Sequence, residues 1–188
     1  MDKDIPARAA LIGAQMRSEL FDSVVPFWER HSPDREFGGY FSCLDRDGSV
    51  FDTDKFLWMQ GRELWCFSHL YRQVERKEAW LDLARLGADF LRKFGKAENG
   101  DYYFSLDRRG LPLVQPYNIF SDCFCASGLA EYAKASGESW AAEEAAAAWR
   151  RIQARKANPK GIWTKQIAAN RPVRAMAKIG RASCRERV

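Results

Sequence analysis

A short motif that occurs twice constrains the fold of this chain more than any other feature. The residues YFSCLDRDG at 40–48 return, one residue shorter, as YFSLDRRG at 103–110, and a fixed spacing of this kind indicates repeated structural units. Both copies close with Asp-Arg-x-Gly, which predicts a short β-hairpin whose glycine supplies a positive φ. A fainter third start, GIWT, lies at 161–164.

Apolar residues recur at helical spacing after each hairpin. The predicted helices cover 7–31, 57–74, 80–94, 119–136 and 138–156. Pro26 is expected to kink or break the first helix, and Gly95 is placed to end the third. A unit of one hairpin and two helices cannot bury its apolar faces alone, so such units stack or close into a ring. The sequence predicts an all-α fold with short β-hairpins between helical pairs, and the periodicity leaves stack and ring open.

The composition predicts a folded protein, and the sequence predicts no membrane-spanning segment. Of the 188 residues, 46% are apolar and 13% aromatic, which is typical of a chain with a real core. No apolar run approaches the roughly 20 residues that a membrane span needs, and residues 1–4, MDKD, lack the pattern of a secretory signal. The five cysteines include no C-x-x-C pair, so we expect reduced thiols, a cytoplasmic protein and no metal site.

The net charge of +5 does not predict binding to nucleic acid. Lys178, Arg181, Arg185 and Arg187 against Glu186 place +3 in the last eleven residues, which leaves +2 for the rest. The other charges alternate in sign, as on a solvated surface.

The last eleven residues, 178–188, have no apolar period and resemble the translation of a sequencing-library adapter. We therefore expect a partial domain at 1–177 and a non-native tail at 178–188, the alternative being a short basic tail. The genomic sequence beyond Ala177 decides between them.

Several segments resemble the N-acylglucosamine 2-epimerase family. They are Phe27-Trp28, DREFGGYF at 34–41, LDRDG at 44–48, Asp54-Lys55, WMQGR at 58–62, QPYNIFSD at 115–122 and Arg171-Pro172. The resemblance implies an (α/α)6 toroid about twice as long as this chain, of which these residues are the N-terminal portion.

The resemblance also implies the reaction, which inverts C2 of N-acetylglucosamine or N-acetylmannosamine. C2 loses and regains a proton through an enediolate-like intermediate, which requires two acid/base groups and a cation or donors at the oxygen. His31 and His69 do not match the two catalytic histidines of the family, so we expect the fragment itself to be inactive. No cofactor is implied, although ATP activates some members, and we expect the parent protein to be a homodimer.

Arg62 is the predicted catalytic residue. Trp58, Arg62, Trp65 and His69 share one helix face, and an arginine between the two indoles could stabilise the enediolate oxygen, the role that the resemblance implies. The alternative is a structural arginine paired with Asp122. His31 is expected to cap a helix or lie at the surface, and His69 is expected to be structural.

Asn118, Asp122, Trp58 and Lys55 are the predicted substrate-binding residues. Asn118 and Asp122 lie one turn apart at the start of a helix, although an N-cap role suits Asn118 nearly as well.

Other functions remain open from the sequence. Within the same fold the parent could be an aldose–ketose isomerase or an oligosaccharide 2-epimerase. A glycoside hydrolase needs two carboxylates, and Asp122 is the only plausible inward acid; a non-catalytic binding protein is a further alternative. Apolar residues near Ile167, Val173 and Met176 are expected to promote aggregation or dimerisation of the short chain.

Overall fold

The computed structural model describes residues 4–157. Within that range the fold is six α-helices, two π-helical turns at Leu20–Val24 and Leu70–Val74, and five short strands, which confirms the predicted all-α class with hairpins between helical pairs. The helices are α1 Ile5–Glu19, α2 Val25–His31, α3 Leu57–His69, α4 Glu78–Phe94, α5 Phe120–Ser136 and α6 Ser139–Ala154. The strands are β1 Cys43–Leu44, β2 Val50–Asp52, β3 Lys55–Phe56, β4 Ser105–Leu106 and β5 Pro112–Val114. The predicted start at 161–164, the tail at 178–188 and the apolar residues near 167–176 lie outside the described residues.

The first predicted helix forms as two α-helices joined by a π-helical turn. This turn spans Leu20–Val24, and the amide of Val25 donates to the carbonyl of Leu20, five residues earlier. Pro26 follows in the first turn of α2, where its missing N–H is tolerated. The predicted irregularity is therefore present, but it lies in the turn before the proline.

Both copies of the repeated motif form the predicted hairpin. Gly48 and Gly110 have φ of 87° and 92°, and each amide donates to the aspartate carbonyl three residues earlier, Asp45 or Asp107. β1 pairs with β2, while β4 pairs with both β5 and β3. Because β3 leads directly into α3, the second hairpin is hydrogen-bonded to the start of that helix.

Close contact between α3 and α5 is made possible by two glycines. A Cβ at Gly61 would lie 2.5 Å from the carbonyl carbon of Phe124, and a Cβ at Gly128 would lie 2.3 Å from the carbonyl oxygen of Gly61. Only glycine on both helices lets the backbones approach so closely. This crossing places residue 124 of α5 directly beside residues 61 and 62 of α3.

The ends of two helices depend on glycine for different reasons. Gly137 follows α5 with φ of 78°, the left-handed conformation that favours glycine. Gly95 ends α4 as predicted, but in a right-handed conformation. A Cβ there would lie 2.6 Å from the Leu91 carbonyl oxygen and 3.1 Å from the ring of Tyr102, so close packing is what this position requires.

No helix among residues 4–157 is both long and apolar enough to cross a lipid bilayer.

Candidate functional site

One side of α3 carries the residues that the sequence singled out. We call Trp58, Arg62, Trp65 and His69 the Arg62 face. Arg62 and Trp65 are exposed and the other two are half-buried, whereas the opposite side of the helix is buried against α4 and α5. The predicted helical face is therefore present and accessible.

The guanidinium of Arg62 lies over two aromatic rings, and one of them is not the predicted one. Its central carbon is 5.7 Å from the Trp58 ring and 5.3 Å from the ring of Phe124, and these rings are 6.3 Å apart. The prediction that Arg62 lies between two indoles is wrong. The second indole, that of Trp65, stacks instead on His69, with ring centroids 4.4 Å apart. Phe124 takes its place because α5 crosses α3 at that point.

Asp122 does not pair with Arg62. Its side chain is buried and accepts hydrogen bonds from the amide of Tyr102 at 3.2 Å and from Arg155 at 3.4 Å. Burial raises the pKa of Asp122 to about 6, against the lowering effect of the Tyr102 amide and Arg155. The alternative of a structural Arg62–Asp122 ion pair is thus contradicted, and the burial of Asp122 argues against direct contact with a sugar.

Asn118 lies two residues before α5 and, because the N-cap residue is Ile119, does not take the N-cap role that the sequence left open. Its side-chain oxygen accepts a hydrogen bond of 2.9 Å from the amide of Phe120, the first residue of α5. The side chain is half-buried.

Lys55 lies in the interior and is engaged by protein groups. Its ammonium donates to Asp34 at 2.9 Å, to the carbonyl of Gly38 at 2.5 Å and to the carbonyl of Arg108 at 2.9 Å, which uses all three of its donors. Its side chain is 0% exposed. This geometry ties the loop at 34–38 to the second hairpin and leaves no donor for a substrate.

Asp34 is the centre of that buried network. Its carboxylate also accepts two hydrogen bonds from Arg108, at 3.0 and 3.1 Å. Burial alone would raise the pKa of Asp34, but the hydrogen bonds from Arg108 and Lys55 outweigh it and hold the pKa below the ordinary value. The network therefore fixes the loops beside the N-terminus of α3, and hence the start of the helix that carries Arg62.

His69 makes the structural contact that we expected, whereas His31 is half-buried one residue before Ser32, the C-cap of α2. His69 contacts Glu131 through Nδ1 at 2.9 Å, and Arg72 donates to the same oxygen at 2.9 Å. These hydrogen bonds lower the pKa of Glu131 against the raising effect of burial. His31 is the last residue of α2 and packs on Phe27, with ring centroids 5.0 Å apart.

Sequence reasoning missed Phe124, Glu63 and the Asp34–Arg108 contact. Phe124 falls within the predicted helix at 119–136, and nothing in one sequence shows that its ring lies beside Arg62. One carboxylate oxygen of Glu63 is buried without a hydrogen-bond partner among the described residues, and burial raises the pKa of Glu63 to about 8. Within residues 4–157, no three His, Cys, Asp or Glu residues lie close enough together to hold a metal ion.

Comparisons with known proteins show which protein family this chain matches. Residues 39–177 match the sequence model of N-acylglucosamine 2-epimerase. The mouse N-acylglucosamine 2-epimerase is 41% identical over 121 residues, 62% of this chain and 29% of that protein. The human protein of the same name is 40% identical over 150 residues, 73% of this chain and 35% of that protein.

A solved structure shows the same fold. The cellobiose 2-epimerase of Spirochaeta thermophila matches with a TM-score of 0.72 and 25% identity, over 82% of this chain and 38% of that one. The chain thus spans about a third of the length of the proteins that it matches, and its hairpins and helical pairs form part of an (α/α)6 toroid. With about three quarters of its residues inside the matching region, the chain belongs to the N-acylglucosamine 2-epimerase family.

Proposed function

We propose that the complete protein is a sugar epimerase that interconverts N-acetylglucosamine and N-acetylmannosamine. Arg62 is the residue of this chain that acts on the reacting atoms. The observation that carries the proposal is the exposed guanidinium of Arg62, which rests on two aromatic rings and has no carboxylate partner within residues 4–157. An arginine in that state is suited to an oxygen that gains negative charge.

The chemistry follows from the acidity of a carbon next to a carbonyl. In the open-chain sugar a base removes the proton from C2, and the electron pair moves toward C1 and onto the aldehyde oxygen. The resulting enolate, whose C2 carries the acetamido nitrogen, regains a proton at C2 on the opposite face, which inverts that carbon. Arg62 would donate to the oxygen while it carries charge, and so lower the barrier in both directions.

The acid/base pair is assigned to the part of the relatives that this chain does not span. His69 is bound to Glu131 and stacked on Trp65, two helical turns from Arg62, and we give it no role in proton transfer. Lys55 and Asp122 support the site from the interior, and Trp58 and Asn118 are the residues that remain positioned to contact a sugar. We place the complete protein in the cytoplasm as a homodimer.

The test uses the complete protein, extended to the length of its relatives, with each amino sugar in deuterated water. Wild-type protein should convert one sugar into the other and incorporate deuterium at C2, which NMR detects directly. Arg62→Ala should lower kcat by about 10²–10³-fold, as loss of an oxyanion donor does, with little change in the unfolding temperature. Conversion at the wild-type rate by the alanine variant would remove Arg62 from the mechanism.

A second candidate is an oligosaccharide 2-epimerase, because the matching structure is a cellobiose 2-epimerase. The same assay with cellobiose distinguishes the two. Faster epimerisation of cellobiose than of either N-acetyl sugar would favour this second candidate.

A further inference from the structure

Arg62 is held by ring faces on one side of its guanidinium. The distances from its central carbon to the two rings, 5.7 and 5.3 Å, and the 6.3 Å between the rings form a nearly equilateral triangle. The rings of Trp58 and Phe124 therefore lie side by side beneath the cation and do not enclose it. The other side of the guanidinium faces solvent, since Arg62 is exposed.

Aromatic faces attract the cation without using its hydrogen-bond donors. A carboxylate partner would neutralise the charge and occupy two of the five N–H groups. Asp122, which lies two residues before Phe124 on α5, instead accepts hydrogen bonds from Tyr102 and Arg155. Among residues 4–157, Arg62 is thus kept in one place without an acidic partner for its charge, which is what stabilising a transient oxyanion requires.

The position of Phe124 is set by the backbone and not by its own ring. Gly61 contacts the carbonyl group of Phe124, and Gly128 contacts the carbonyl of Gly61 one helical turn along α5. This glycine crossing fixes residue 124 relative to residue 62, its neighbour in space on α3. The ring is half-buried and edge-tilted against Trp58 at 50°.

We propose that Phe124 is a positioning residue for Arg62: its ring face holds the guanidinium at the point where the enolate oxygen forms. The proposal rests on the proposed function and adds a residue of α5 to the machinery. A leucine of similar volume fills the same space but presents no π-face, so it separates packing from cation–π attraction.

The first experiment compares Phe124→Leu with Phe124→Tyr in the complete protein. We expect kcat to fall about two- to fivefold in the leucine variant, as loss of one exposed cation–π contact implies, and to stay at the wild-type value in the tyrosine variant. KM and the unfolding temperature should change little in both. Equal losses in the two variants, or wild-type kcat in the leucine variant, would overturn the proposal. Phe124→Met serves as the apolar replacement if the leucine variant unfolds.

A double-mutant cycle with Arg62→Ala tests whether Phe124 acts through Arg62. In the Arg62→Ala background, Phe124→Leu should have no further effect on kcat. A loss as large as in the wild-type background would show that the ring acts independently, and would contradict the proposal.

A measurement without turnover separates this inference from the proposed function. The side-chain NMR signals of Arg62 should be shifted upfield by the ring currents of Trp58 and Phe124, and Phe124→Leu should reverse part of that shift. An unshifted Arg62 in wild-type protein would refute the contact. Wild-type protein that shows the shift but no exchange at C2 would instead refute the epimerase assignment.

Discussion

Glu63 shows how a single buried carboxyl group couples the stability of this chain to pH. Burial raises its pKa to about 8, and a hydrogen bond with Ser32 offsets only part of that effect. The Ser32 hydroxyl donates to the Trp28 carbonyl at 2.7 Å, and one carboxylate oxygen of Glu63 is buried without a hydrogen-bond partner among residues 4–157. Burial of a carboxylate oxygen without a donor favours the neutral form of the carboxyl group.

The consequence is a loss of stability as pH rises. The folded-state pKa of Glu63 is above its ordinary value of 4.5, so the folded chain binds the proton more tightly than the unfolded chain does. The contribution of this proton to the free energy of unfolding is therefore complete below about pH 4.5. It is lost as pH rises toward and through about 8. Glu63→Gln should remove this slope and be more stable than wild type at pH 9, by roughly 1–2 kcal/mol.

Urea unfolding at several pH values from 5 to 9 measures this difference. Glu143→Gln is the matched control, because Glu143 is exposed on α6 and its replacement should leave the pH dependence of wild type. Parallel curves for wild type and Glu63→Gln would show that Glu63 is ionised in the folded protein.

Residue-scale features differ in how well the sequence predicts them. Helical periodicity was sufficient to place Arg62 on an exposed face, because the exposure of a residue depends on its position within its own helix. The partners of Arg62 and Lys55 could not be predicted, because each depends on which helix or loop packs beside it. The buried Lys55 is the clearest case. Its residue type indicates a surface, and its burial is tolerable because the carboxylate of Asp34 and two backbone carbonyls accept its three hydrogen bonds.

Among the elements, the crossing of α3 and α5 determines the geometry of the site. Gly61→Ala would place a methyl group 2.5 Å from the Phe124 carbonyl carbon, so the two helices must separate. We expect the free energy of unfolding to fall by about 2–3 kcal/mol. The control is Gly13→Ala on α1, where nothing lies within 4 Å of the added Cβ; the helix propensity of alanine should make it neutral or stabilising.

Chemical denaturation of the two alanine variants tests the crossing directly. Similar unfolding midpoints for Gly61→Ala and wild type would show that α3 and α5 do not need the close approach.

The hairpins and helices were predictable because their signals are local. Asp-Arg-x-Gly specifies its own turn, as the matching hydrogen bonds at Gly48 and Gly110 show. The glycine crossing was not predictable, since Gly61 and Gly128 lie in different repeats and neither sits at a turn. The repeat indicated how many helical pairs to expect but not which faces meet.

At the scale of the whole molecule, the described chain leaves apolar surface exposed at its N-terminal helix. No residue of α1 is buried, and Ile12 and Met16 are 47% and 69% exposed, one turn apart on the helix. A groove of about 680 Å³ between α5 and α6 is lined largely by alanines, with Trp149 at its side. Exposed apolar surface of this extent promotes association.

We therefore expect the 188-residue chain to self-associate as its concentration rises through the micromolar range. Ile12→Lys combined with Met16→Lys should weaken the association about tenfold or more. Burial of a lysine ammonium group in an apolar contact is energetically unfavourable. Leu111→Lys is the matched control, since Leu111 is equally apolar and 59% exposed but lies at a hairpin turn. Sedimentation velocity over a concentration series measures the effect. A monomer at every concentration, or equal weakening by the control, would show that the exposed row on α1 does not drive association.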